Sequence, residues 1–105
     1  MINDAPEILA TRKKILRTLE MHKDELSSRY KVKQIGLFGS YARGEQNAGS
    51  DIDLLVDFLP GADLFDLSGL KQYLEGIFDH HVDVVPTRTL RDELRAMVLA
   101  DVTYV

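Results

Sequence analysis

Apolar positions along this chain follow two rhythms. Between residues 6 and 29, Ile8, Ile15, Leu19 and Leu26 recur on one stripe, with Leu16 beside it, the spacing of an amphipathic helix. Arg12, Lys13, Lys14 and Arg17 lie mostly around its other faces and read as a solvated surface rather than a docking patch for an acidic partner. His22 falls near the apolar stripe and is expected to be partly buried. Val32 to Phe38 changes the rhythm: it is short, apolar-rich and carries β-branched Val32 and Ile35, so it reads as a first strand. Gly39-Ser40 ends it, and Ser40 to Arg43 can form a short helical turn. Gly44 to Ser50 is polar, with two glycines and an asparagine, and reads as a loop. Ile52 to Phe58 (IDLLVDF) is a second strand, closed by a turn at Pro60-Gly61.

Asp63 is placed to cap the next helix, whose stripe is Leu67, Leu70, Leu74, Ile77 and Phe78. Asp79 to His81 connects it to a third strand, Val82 to Val85, which Pro86 stops. A last helix is expected from about Leu90 to Leu99, burying Leu90, Leu94, Met97 and Val98. The tail from Asp101 to Val105 has β-forming residues suited to an edge strand or a partner contact. The order helix, strand, strand, helix, strand, helix predicts an α+β (α/β-like) fold, a small sheet covered by helices. The dozen or so residues joining the first two strands allow either a wide hairpin or a short crossover.

Composition narrows the class. The 105 residues are expected to form one domain, 1–105, around a modest core. At 45% hydrophobic and 29% charged, the chain is expected to be ordered. No apolar run approaches a membrane span, and Met1 to Pro6 lacks the apolar stretch of a signal peptide, so the expected location is cytoplasmic. The absence of cysteine excludes disulfides and thiolate metal sites. The net charge of -4 disfavours direct nucleic-acid binding. It leaves a nucleoside triphosphate open, provided metal ions screen the charge.

The candidate chemistry lies between residues 39 and 53. Gly39-Ser40 follows a strand directly, and Asp51-Ile52-Asp53 heads the next strand after ten intervening residues. Alternation on a strand points Asp51 and Asp53 to one face and Ile52, Leu54 and Val56 to the other. Two carboxylates so placed repel each other, and one or two magnesium ions would remove that cost. Glycine lets the backbone approach a phosphate, the amides opening the next turn favour an anion, and the Ser40 hydroxyl adds a donor. Arg43 is placed to orient phosphate oxygens. Asp83, flanked by valines in the third strand, is costly to bury without a partner. If that strand lies beside the second, Asp83 joins Asp51 and Asp53, to bind the metal or to take a proton from an acceptor.

Each piece has an ordinary reading: a turn, a solvated strand head, an edge charge that blocks aggregation. Their conjunction favours chemistry. His80 and His81 suggest zinc, but adjacent side chains on extended backbone point apart. Asp57 shares the face of Asp51 and Asp53 further along and reads as structural.

The string GSYARGEQNAGSDIDLLVDF resembles the signature of the DNA polymerase β-like nucleotidyltransferase superfamily, and within it the minimal nucleotidyltransferases, or MNT proteins. The likeness continues through Leu64-Phe65-Asp66-Leu67, Val82-Asp83-Val84-Val85 and the tail. It implies a mixed sheet packed with helices, a triphosphate held by Gly39 and Ser40, magnesium on Asp51 and Asp53, and Asp83 as third carboxylate. Many MNT proteins are antitoxins paired with a HEPN-domain ribonuclease toxin. In such pairs the resemblance implies transfer of AMP from ATP to a toxin tyrosine. Asp79-His80-His81 departs from the usual glycine-basic turn before the third strand, which leaves the shape of that turn open.

Nearly all residues are needed to build such a sheet, so a protein acceptor would supply the remaining contacts. Two competing readings follow. The chain could be a catalytically silent antitoxin that blocks its toxin by complex formation. It could instead modify a small molecule, which is disfavoured because little remains to build a pocket.

Overall fold

The computed structural model describes residues 11–105. The long first helix is two: α1, Arg12–Met21, and α2, Lys23–Tyr30. His22 interrupts them with φ -101° and ψ 8°. Thr11 caps α1 by accepting from the Lys14 amide. The part of the expected helix before Thr11, with Ile8, lies outside the described residues. Ile15, Leu19 and Leu26 are buried as the stripe predicts, and Lys13, Lys14 and Arg17 are exposed. Half-buried His22 meets Tyr73 edge-on, ring centroids 6.0 Å apart.

Strand β1 (Val32–Phe38) leads through the short helix α3 (Ser40–Arg43) and a loop to β2 (Ile52–Phe58). The two strands pair antiparallel, so the connection is a wide hairpin. Helix α4 (Leu64–Phe78) then carries the chain to β3 (Val82–Pro86), which pairs parallel to β2. Asp63 caps α4 in a reciprocal box with Asp66, each side chain accepting the other's amide. Asp79 ends α4 with φ 50°, so the glycine-free turn before β3 takes a left-handed residue without glycine. A 3-10 turn (Thr87–Thr89), helix α5 (Asp92–Asp101) and strand β4 (Thr103–Tyr104) complete the chain. The tail is an edge strand, antiparallel to β1. The mixed sheet has the order β3-β2-β1-β4.

Its two faces are unlike. On one, Ile35, Leu37, Ile52, Leu54, Val56 and Val82 meet apolar residues of α1, α2 and α4. On the other, Leu55 packs with Leu90 and Val98 against Phe38, Val85 and Val102. Strand β2 is therefore buried on both sides at its centre, which explains its nearly continuous apolar run.

One expectation about α5 fails. Leu90 and Val98 are buried, but Leu94 is 42% exposed and Met97 63% exposed. The helix begins at Asp92 rather than Leu90 and covers a sheet face whose other residues include carboxylates. Only a narrow stripe of α5 finds apolar partners there.

Among the described residues, no helix is long and apolar enough to cross a membrane.

Candidate active site

Strand register assembles the site. Asp53 of β2 lies opposite Phe38 of β1 and beside Asp83 of β3, with neighbouring strands about 4.8 Å apart. Phe38 delivers the chain to Gly39 at the same end of the sheet. Gly39 has φ 79° and ψ -156°, a conformation open essentially to glycine. A Cβ added there would lie 2.3 Å from Asp53 Oδ2. Backbone and carboxylate are thus in direct apposition, and Ser40 opens α3 just beyond. Tyr41 anchors this corner: its ring is buried in the core, and its hydroxyl lies 3.3 Å from His80 Nε2. The same nitrogen lies 2.6 Å from the Ser50 carbonyl oxygen. His80 thus ties α3, the loop and the start of β3 together, a positioning role.

Half-buried Asp53 is electrostatically strained. Burial, and then the charges of Asp83 and Asp51, push its carboxyl up to about 6, with Arg43 acting in the opposite direction. Neither Asp53 nor Asp83 has an ion-pair partner among the described residues. Asp51 does: its Oδ1 lies 3.1 Å from His81 Nδ1. Arg43 is also engaged, with Glu45 and with Asp101 at the end of α5. It stands at the rim of the site, tying the Gly39-Ser40 corner to the last helix.

The Asp51–His81 contact follows from the register of β2 and β3, which no local pattern encodes. The parallel register that sets Asp53 beside Asp83 also pairs Ile52 with Val82, and so brings the preceding residues, Asp51 and His81, together. The matching spacing of 51/53 and 81/83 was the available signal. Asp57 is half-buried further along β2, away from the other carboxylates.

Among the described residues, no three His, Asp or Glu side chains gather into a ready-made metal cage. The donor chemistry nevertheless fits a hard cation, which takes oxygen ligands. Asp53 and Asp83 are adjacent, unpaired and mutually repelling, and Asp51 is close enough to add to the repulsion at Asp53.

The candidate site is thus a glycine corner pressed against a carboxylate, beside a register-matched second carboxylate on a mixed sheet. The chain belongs to the nucleotidyltransferase domain family, whose profile matches residues 19–105, and within it resembles the minimal nucleotidyltransferases. It is 40% identical over 97 residues to the protein adenylyltransferase MntA of Thermococcus cleftensis, covering 92% of this chain and 98% of that protein. A solved toxin–antitoxin structure with AMP-PNP superposes with a TM-score of 0.66 at 31% identity, covering 81% of this chain and 70% of that one. The tri-AMPylated HEPN toxin of Shewanella oneidensis in complex with MNT antitoxin gives a TM-score of 0.60 at 26% identity, covering 85% and 70%.

Proposed function

We propose that this protein is the antitoxin of a HEPN/MNT pair, transferring AMP from ATP to a tyrosine of its HEPN ribonuclease toxin and so silencing it. The observation that carries this reading is the apposition of Gly39, Asp53 and Asp83 across three neighbouring elements. It is supported by the likeness to a protein adenylyltransferase along nearly its whole length and to complexes containing AMP-PNP or an AMPylated toxin.

In this reading Gly39 and Ser40 receive the triphosphate, through backbone amides and the serine hydroxyl. Asp51, Asp53 and Asp83 would hold magnesium, with Asp51 turning from His81. When bound, magnesium supplies charge neutralisation at the phosphates and polarises the phosphorus–oxygen bonds. Arg43 exchanges Glu45 and Asp101 for phosphate oxygens, whose higher charge makes the exchange favourable. The acceptor's phenolic oxygen forms a bond to the α-phosphorus as the bond to the β-phosphate oxygen breaks. Pyrophosphate leaves, and the phenol proton passes to Asp83. In this reading the reaction runs in the cytoplasm, where ATP and magnesium are available.

The test is direct. Incubation with the HEPN toxin, ATP and magnesium should add AMP to the toxin, read by intact mass. Asp53→Asn should lower the rate at least about a hundredfold, because it removes charge where the cation binds. No mass gain with any nucleotide or metal would sink the proposal.

One observation favours the second reading, a silent antitoxin that acts by covering its toxin. Asp51 and Arg43 are already engaged within the protein. An Asp53→Asn variant that still protects cells fully from the toxin would select it.

A further inference from the structure

The sheet face bearing Asp53 and Asp83 continues into an open cleft of about 290 Å³. Phe38, Val85, Leu90, Leu94 and Val98 give it mostly apolar walls, which also carry the two carboxylates, Thr89 and Arg91. Leu94 and Val98 stand one turn apart on the same side of α5. Val98 is buried against the sheet, whereas Leu94 remains 42% exposed beside the carboxylates. At that size the cleft has room for a single aromatic side chain. Mostly apolar walls that include two carboxylates suit a flat, apolar group that carries one hydroxyl.

Position distinguishes the acceptor from the nucleotide. The Gly39-Ser40 corner lies at the end of β1, Asp53 is next on β2, and Asp83 is on the edge strand β3. Attacking and leaving oxygens stand roughly in line across the phosphorus in phosphoryl-type transfers. If the departing phosphates occupy the glycine corner, the acceptor enters from the opposite, β3 side, where Asp83 and Val85 line the cleft.

We propose that this cleft receives the aromatic ring of the acceptor tyrosine, directs its hydroxyl to Asp83, and that Leu94 is the positioning residue that favours tyrosine over an aliphatic hydroxyl. The inference rests on the AMP-transfer reading above. The phenolic oxygen joins the α-phosphorus, the bond to pyrophosphate breaks, and the proton passes to Asp83. Leu94 takes no part in these changes and acts by holding the ring.

The experiment compares the full-length protein with Leu94→Ala and Leu94→Gln. Each is assayed on the HEPN toxin and on a toxin whose acceptor tyrosine is replaced by serine. Because Leu94 is exposed, both variants should melt within a few degrees of the parent. Expected results are a fall of about tenfold in kcat/KM for the tyrosine toxin, an unchanged KM for ATP, and a narrowed preference for tyrosine over serine. The inference is overturned if KM for ATP rises while the toxin parameters hold, which would assign the cleft to the base. It is also overturned if neither variant differs from the parent. A parent protein that transfers nothing removes the AMP-transfer reading itself, and this inference with it. A parent that transfers normally beside unaffected variants removes only the inference.

Discussion

A side chain at residue 39 would have to occupy the space of the Asp53 carboxylate. Gly39→Ala places a Cβ 2.3 Å from Asp53 Oδ2 on backbone at φ 79°. Relief requires either moving the carboxylate or rebuilding the corner. We expect a stability loss of about 1–3 kcal/mol from the backbone strain and a larger loss of transfer, checked by urea unfolding and by toxin mass. Asp53 gives a second prediction at this scale. Its folded carboxyl titrates at about 6, above the ordinary 3.8, so the folded state holds a proton that the unfolded chain has released. The resulting stabilisation is fully present below about pH 4 and is lost as pH rises through about 6. In chelator, Asp53→Asn should remove this dependence and be more stable than the parent at pH 7.5, by at most on the order of 1 kcal/mol because solvent screens a half-buried carboxyl. Urea midpoints at pH 4.5 and 7.5 test it: identical pH dependence in both proteins would refute the assignment. Added magnesium should stabilise the parent more than the variant. Both predictions concern residues singled out by type and spacing, but neither the contact nor the strain is written in the string. They arise because β1 ends and β2 begins at the same end of the sheet.

Elements set the precision of the site. Helix α4 carries the chain from β2 back to a parallel strand, and its start is held by the Asp63–Asp66 box. Asp63→Ala should cost about 1 kcal/mol, measured as a lower Tm, with transfer at moderate temperature preserved. Strand β4 lies close over β1 at Gly36, where a Cβ would come within 2.6 Å of Val102 Cγ2 and 2.8 Å of Tyr104 Cδ1. Both atoms belong to the terminal return, so Gly36→Val should loosen β4 and destabilise by about 1–3 kcal/mol through overpacking, detectable as faster amide exchange at Thr103 and Tyr104. The strands and α4 were legible because their apolar residues repeat with a clean period and end at glycine, proline or a capping aspartate. The break at His22 was not, since Leu19 and Leu26 stay buried on either side of it. Leu94 and Met97 were misplaced for a different reason. Helical periodicity marks a potential apolar face, but the partner surface decides how much of it is covered.

At the scale of the molecule, two faces of one sheet divide the labour. The face against α1, α2 and α4 is apolar and fully packed, and supplies most of the core. The other mixes a small apolar cluster with the carboxylates, so α5 closes only part of it and leaves a cleft. Leu54→Ala, in the first face, should cost about 2–5 kcal/mol by urea unfolding, far more than changes at Leu94. That asymmetry is a direct check on which side of the sheet holds the fold together. By itself the sequence determined the strands, the glycine-serine corner, the pair Asp51 and Asp53, and Asp83 as their candidate companion, because local propensity and alternation act over a few residues. Tertiary structure decided the antiparallel hairpin and the parallel β2–β3 register that brings Asp83, 30 residues beyond Asp53, to its side. It also decided the pairing of Asp51 with His81, the capture of Arg43 by Asp101, and the exposure of Leu94. Each depends on which elements pack together, information that no local period carries.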